Sequence, residues 1–160
     1  MGSESDWPSM EGCLELLRQF EIDADVQVLS AHRNPARLAD YVSQASERGI
    51  RVMIAAAGMS AALPGAIAAQ TTLPVIGVPI ANGALRGVDA LLAMSQMPSG
   101  VPVATLAIGA SGAKNAAVLA AQILALSDAR LAEKLKEHKR SLAEKADNIN
   151  QALHARLAGR

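Results

Sequence analysis

The chain has 160 residues and a mass of 16.5 kDa, the size of one domain whose core covers roughly two-thirds of the surface its unfolded form exposes. Hydrophobic residues make up 51% and charged residues only 19%, which excludes intrinsic disorder. Lys+Arg and Asp+Glu balance at 15 each and the aromatic side chains are Trp7, Phe20 and Tyr41 alone, so neither a basic field nor a stacking platform draws the chain to nucleic acid or to an anionic membrane.

Charge is unevenly placed. Between Val52 and Ser127 the charged residues are Arg86, Asp89 and Lys114. Gly and Pro interrupt this stretch repeatedly, and its longest apolar run, 116–126 with Gln122 inside it, falls short of the ~20 residues a membrane span needs. A surface so poor in charge is expected to be covered by further copies of the chain, as an obligate homo-oligomer. The 33 alanines suit close helix approach at such interfaces. The lone Cys13 closes no intrachain disulfide and builds no Cys-based zinc site, and no basic-then-apolar signal segment opens the sequence, so a cytoplasmic setting is expected.

Met10, Cys13, Leu14 and Leu17 follow helical spacing, predicting a helix over 8–20 with Asp6 as its N-cap. Ala24, Val26 and Val28 alternate, predicting a strand that ends near Ser30. A helix then starts at Pro35, with Leu38, Tyr41, Val42 and Ala45 inward and Gly49 as its stop. Residues 50–57 read as a strand covered on both faces. Next come a helix over 63–70, a strand over 75–78, a helix over 88–96, a strand over 101–108 and a helix over 114–126. Beyond Asp128, Lys, Glu and Arg at helical spacing predict a long amphipathic C-terminal helix. The alternation defines an α/β fold with a parallel sheet. It divides into an α/β domain, 1–127, and a C-terminal helical extension, 128–160, expected to pack in the oligomer.

Open parallel sheets bind ligands beyond the carboxyl ends of their strands. The segments to inspect are therefore 2–6, 30–35, 57–65 and 109–114, each with Gly or Ser at a helix start, where backbone N–H groups and the helix dipole favour anions. None is a Walker or dinucleotide fingerprint. His32 and Arg33 are adjacent at a strand end: the His is a candidate acid–base group and the Arg a fork for phosphate or carboxylate. Pattern alone reads His32 equally well as a helix cap or a solvated side chain. His138 and His154 read as surface residues of the C-terminal helix, the three His lack metal-ligand spacing, and Cys13 reads as core.

Gly2-Ser3-x-Ser5-Asp6-Trp7, Ser30-Ala31-His32-Arg33-x-Pro35, Leu73-Pro74-Val75-Ile76-Gly77-Val78-Pro79, Gln96-Met97-Pro98-x-Gly100-Val101-Pro102-Val103 and Ala113-Lys114-Asn115-Ala116-Ala117 together resemble the PurE family of bacterial purine biosynthesis, over Gly2 to about Leu126. The resemblance implies a three-layer flavodoxin-like fold, a homo-octamer, and isomerisation of 5-(carboxyamino)imidazole ribonucleotide to 4-carboxy-5-aminoimidazole ribonucleotide without metal or other cofactor. It assigns His32 as the catalytic acid–base, Asp6 to ribose hydroxyls, Ser3, Ser30 and Arg33 to the phosphate side, and Ala57, Gly58 and Leu63 to an apolar pocket that retains CO2. Two departures stand out. Gly58-Met59-Ser60-Ala61-Ala62-Leu63-Pro64-Gly65 carries Ala62 where the usual pattern has a second histidine, and Ser60 matches the branch that carboxylates aminoimidazole ribonucleotide with free CO2. That reaction and a non-catalytic nucleotide-binding role are the alternatives. The family also has a buried strand of about six residues directly ahead of Gly2, so either a natural segment lies outside this sequence or the sheet is a strand short.

Overall fold

The computed structural model describes residues 1–159, so Arg160, the last residue of the expected extension, lies outside the described residues. A three-stranded parallel sheet, in the order β1 (Met53–Gly58), β2 (Val75–Ile80), β3 (Ala104–Thr105), lies between two layers of helices. Side chains alternate across it. Met53, Ala55 and Ala57 of β1 and Val75 of β2 face α2 (Pro35–Ser43), α3 (Ala62–Ala68) and α4 (Val88–Ser95); Ala56, Ile76, Val78 and Ile80 face α1 (Trp7–Gln19) and α5 (Ala110–Ala125). Burial on both faces explains why β2 carries no charge or polar side chain. The buried stripe of α5 is Ala113, Ala116, Ala117, Ala120 and Ala121, at helical spacing and small enough to bring α5 close to the sheet and to α1.

Helix α6 (Ala129–Ala158) starts at Asp128, whose carboxylate accepts the N–H groups of Arg130 and Leu131. Leu131 is its only buried residue, packed with Phe20 and Ala121. Glu21 ties the helix down through Lys134 at 2.6 Å and Arg130 at 3.4 Å. His138 is half-buried rather than a free surface residue: its ring meets Phe20 edge-on at 5.3 Å, an attraction the C-terminal pattern does not advertise.

Several expected boundaries move. The strand expected over 24–30 is extended chain without a ladder. A strand needs a neighbour to bond to, and among the described residues the backbone of 24–29 bonds only to Met1, whose ammonium donates to the Gln27 carbonyl and whose carbonyl accepts the Leu29 N–H. Gly2 in turn donates to Ala56 O, so Met1 and Gly2 bridge the gap between 24–30 and β1 at one end. The rest of that gap is a cleft of about 590 Å3 along the free edge of β1, lined by Met53 and Ala55 and by Cys13, Leu17 and Leu38 of the helices above and below. The described residues thus form three strands, with this cleft between 24–30 and β1. Strand β3 shrinks from 101–108 to Ala104–Thr105, in register with Ile76 and Gly77, although Leu106 and Gly109 still donate to Gly77 O and Pro79 O of β2. Helix α2 ends at Ser43, six residues before Gly49, and α5 begins four residues before Lys114, directly after Gly109 at φ +73°.

Candidate active site

Three of the four inspected turns converge on one cleft of about 460 Å3 beyond the carboxyl end of β1, and Asn82 joins them from the end of β2. The turns lead into α1, α2 and α3, so the cleft collects the starts of three helices.

In the first turn Ser3 is extended and caps a single 3-10 turn, Glu4–Asp6. Its hydroxyl accepts the Ser5 N–H at 3.3 Å and the Ser5 hydroxyl at 2.9 Å. Asp6 was expected to cap α1, but its side chain makes no bond to that helix. Its Oδ2 turns back to accept the Ser3 N–H at 3.0 Å, closing a capping box, while Oδ1 accepts from Asn82 Nδ2 at 3.2 Å. At 2% exposure Asp6 is the buried charged residue of the described chain.

The second turn closes from the Ser30 carbonyl to the Asn34 N–H, and the Asn34 side chain caps α2 by accepting the Arg37 N–H. Arg33 folds back over it: both its backbone N–H and Nε donate to Ser30 Oγ at 3.2 Å, and Nη2 donates to Gly2 O at 3.1 Å. The guanidinium keeps three of its five N–H groups for a ligand. His32 stands exposed at the apex, with no hydrogen-bond partner among the described residues, so it neither caps α2 nor is held by the protein.

The third turn is backbone-strained. Met59 (φ +56°) and Ala61 (φ +41°) both occupy the left-handed region, which costs an L side chain roughly 1–2 kcal/mol each. Ala61 N–H donates to Gly58 O, and α3 starts at Ala62 with no side-chain cap. Ala57 and Leu63, both buried, form an apolar wall. A Cβ on Gly58 would lie 3.0 Å from Asn82 Cβ and Nδ2 and 3.2 Å from Ile80 O, so glycine is what lets β1 and the Asn82 side chain meet.

The cleft therefore holds every residue expected from the sequence: Ser3, Asp6, Ser30, His32, Arg33, Ala57, Gly58 and Leu63, together with Ser60 and Ala62. The fourth turn, 109–114, does not line it; Gly109 N–H is bonded to Pro79 O and the segment packs behind β2. Asn82 was missed because Ala81-Asn82-Gly83 reads as an ordinary turn. His154 is exposed and remote in the extension. Cys13 is buried against α5, where loss of solvation pushes its thiol up to about 11, as an unreactive core side chain. No group of three or more His, Cys, Asp or Glu is clustered for a metal among the described residues, and none of their helices is long and apolar enough to cross a membrane.

A parallel α/β sheet whose strand ends gather a buried carboxylate, an anchored guanidinium and an exposed imidazole around one cleft has the architecture of a small-molecule site. The family follows from comparison. The AIR carboxylase family profile matches residues 1–145, and the chain belongs to that family. A protein of Bacillus subtilis called N5-carboxyaminoimidazole ribonucleotide mutase is 50% identical over 153 residues, covering 93% of this chain and 94% of its own. One of the same name from Vibrio parahaemolyticus is 51% identical over 144 residues, 90% of this chain and 89% of its own. The crystal structure of Treponema denticola PurE superposes with a TM-score of 0.84 at 28% identity, over 96% of this chain and 94% of the other.

Proposed function

We propose that this protein converts 5-(carboxyamino)imidazole ribonucleotide to 4-carboxy-5-aminoimidazole ribonucleotide. The observation that carries the reading is the gathering of His32, Arg33 and Asp6 around one cleft with an apolar wall, in a chain half identical to proteins named for that mutase activity. Arg33 and the turns at Ser3 and Ser30 take the phosphate, and Asp6 takes the ribose hydroxyls, which leaves the imidazole ring beside His32. His32 as imidazolium protonates the carbamate nitrogen, the N–C bond breaks, and CO2 is released against Ala57, Gly58 and Leu63. The nucleophilic C4 of the aminoimidazole attacks the CO2 carbon, and His32 takes up the C4 proton as the ring regains aromaticity. The proton lent in the first half returns in the second, so the isomerisation balances. An apolar wall keeps water from competing for the CO2.

Ser60 and Ala62 favour a second reading, in which the cleft carboxylates aminoimidazole ribonucleotide with free CO2. The test is 4-carboxy product measured from each substrate, with CO2 stripped or supplied. The mutase reading expects product from the carbamate without added bicarbonate. Product only from aminoimidazole ribonucleotide plus CO2 replaces it with the carboxylase, and binding without turnover of either replaces it with a non-catalytic role.

The working form we propose is a cytoplasmic homo-octamer, with 1–127 carrying catalysis and 128–160 packing between subunits. Exposed Leu85, Val88 and Leu92 on and before α4, and Leu142, Ile149, Leu153 and Leu157 along α6, are apolar surface that assembly covers. Native mass spectrometry at low micromolar concentration should show one high-order species; a stable monomer overturns it.

A further inference from the structure

We propose that Asn82 is a positioning residue for substrate binding: its amide holds the Asp6 carboxylate in place, so that the lone pairs left on that carboxylate accept the substrate's ribose hydroxyls. The inference deepens the mutase reading and rests on it for the role of Asp6.

Asp6 and Asn82 are 76 residues apart, at the start of the chain and just past β2, and meet at 3.2 Å. A buried carboxylate is tolerated only where donors satisfy it. Asp6 has two donors among the described residues, the Ser3 N–H on Oδ2 and the Asn82 amide on Oδ1, and no Lys or Arg pairs with it there. Each oxygen thus spends one lone pair on the protein and keeps another for a ligand. The Ser3 donor is local and follows the loop wherever it moves. The Asn82 donor comes from just past β2, where its own N–H bonds to Ile80 O, so it refers the carboxylate to a second strand, whereas the Ser3 loop is tied to β1 through Gly2 and Ala56. A carboxylate only accepts, which obliges the amide to present its nitrogen and turn its own oxygen away. The bare Gly58 Cα fixes the approach, since Asn82 packs where a Cβ would stand.

Asn82→Asp is the sharpest test, because it preserves shape while replacing the donor with a second acceptor and a like charge. Asn82→Ala removes the donor, and Asn82→Ser keeps a shorter one. With the carbamate as substrate, Asn82→Asp should raise KM about tenfold to a hundredfold while kcat at saturation stays within about threefold of wild type. Asn82→Ala should move the same way by less, and Asn82→Ser should fall between Asn82→Ala and wild type. A side chain that merely pinned the loop would lower the melting temperature and the active fraction, hence kcat, and leave KM alone. Should Asn82→Asp fail to fold, the Ala and Ser variants carry the comparison. Affinity for aminoimidazole ribonucleotide, measured by calorimetry, needs no turnover: wild type that binds it without converting the carbamate defeats the mutase reading, whereas the Asn82 proposal still stands or falls on the affinity lost. A KM and an affinity within about twofold of wild type in the folded variants overturn it.

Discussion

The guanidinium of Arg33 donates to the carbonyl oxygen of Gly2 at 3.1 Å, tying the turn that carries His32 to the turn that carries Asp6. A single side chain thereby anchors one wall of the cleft, and in the proposed reaction its remaining N–H groups take the phosphate. Removing it loses both roles. Arg33→Ala is expected to raise KM by the equivalent of about 1.5–3 kcal/mol, with a smaller effect on kcat. Arg33→Lys should recover little, because an ammonium has no planar fork with which to bond Ser30 Oγ, Gly2 O and a phosphate together. Steady-state kinetics on the two variants checks both statements.

His32 is exposed and bonded to nothing in the described chain, so its replacement disturbs no packing. His32→Asn should keep the melting temperature and the assembly of wild type while kcat falls by at least about a hundredfold, since the amide cannot carry a proton between nitrogen and carbon. Near-full activity in a correctly folded variant would move the acid–base role to another group.

Met59 sits at φ +56° and is 59% exposed, so it bears left-handed strain while burying little. Met59→Gly removes that strain at the cost of some chain entropy, and a net stabilisation of about 1 kcal/mol is expected. Chemical denaturation reads this directly. A loss of stability would mean that the Met59 contact near Gly83 outweighs the backbone term.

Burial raises the Cys13 thiol from near 9 to about 11. Below pH 9 the thiol is protonated in both folded and unfolded chains, and its stabilising contribution is fully present. As pH climbs from 9 through 11 the unfolded chain releases the proton first, and roughly 2–3 kcal/mol of stability is lost. Cys13→Ala should therefore show a flatter decline between pH 9 and 11 than wild type, whatever its stability at neutral pH. Alkylation of Cys13 by iodoacetamide at pH 8 should be slow until denaturant is added.

The sequence by itself determined which segments are helical, that the sheet is parallel with its central strand buried on both faces, and that Cys13 belongs to the core, and it offered four turns as places for a site. Those properties are local: the alanine spacing of α5, the uncharged run of β2, and the Ser, His and Arg of 30–33 are legible within a few residues of chain. Only the tertiary structure decided what depends on a partner from elsewhere. Residues 24–30 have strand periodicity yet form no strand, because ladder bonds come from a neighbour and the neighbouring position is a cleft beyond Met1 and Gly2. Asp6 looks like a helix cap until Ser3 and Asn82 claim its two oxygens, and Asn82 has no signal of its own because its partner lies 76 residues away. The turn at 109–114 resembles the other three in composition but packs behind β2, since strand order, which no short window contains, sets which loops face the cleft. Hydrogen-bond partners and strand order are long-range properties of the chain, whereas periodicity is short-range.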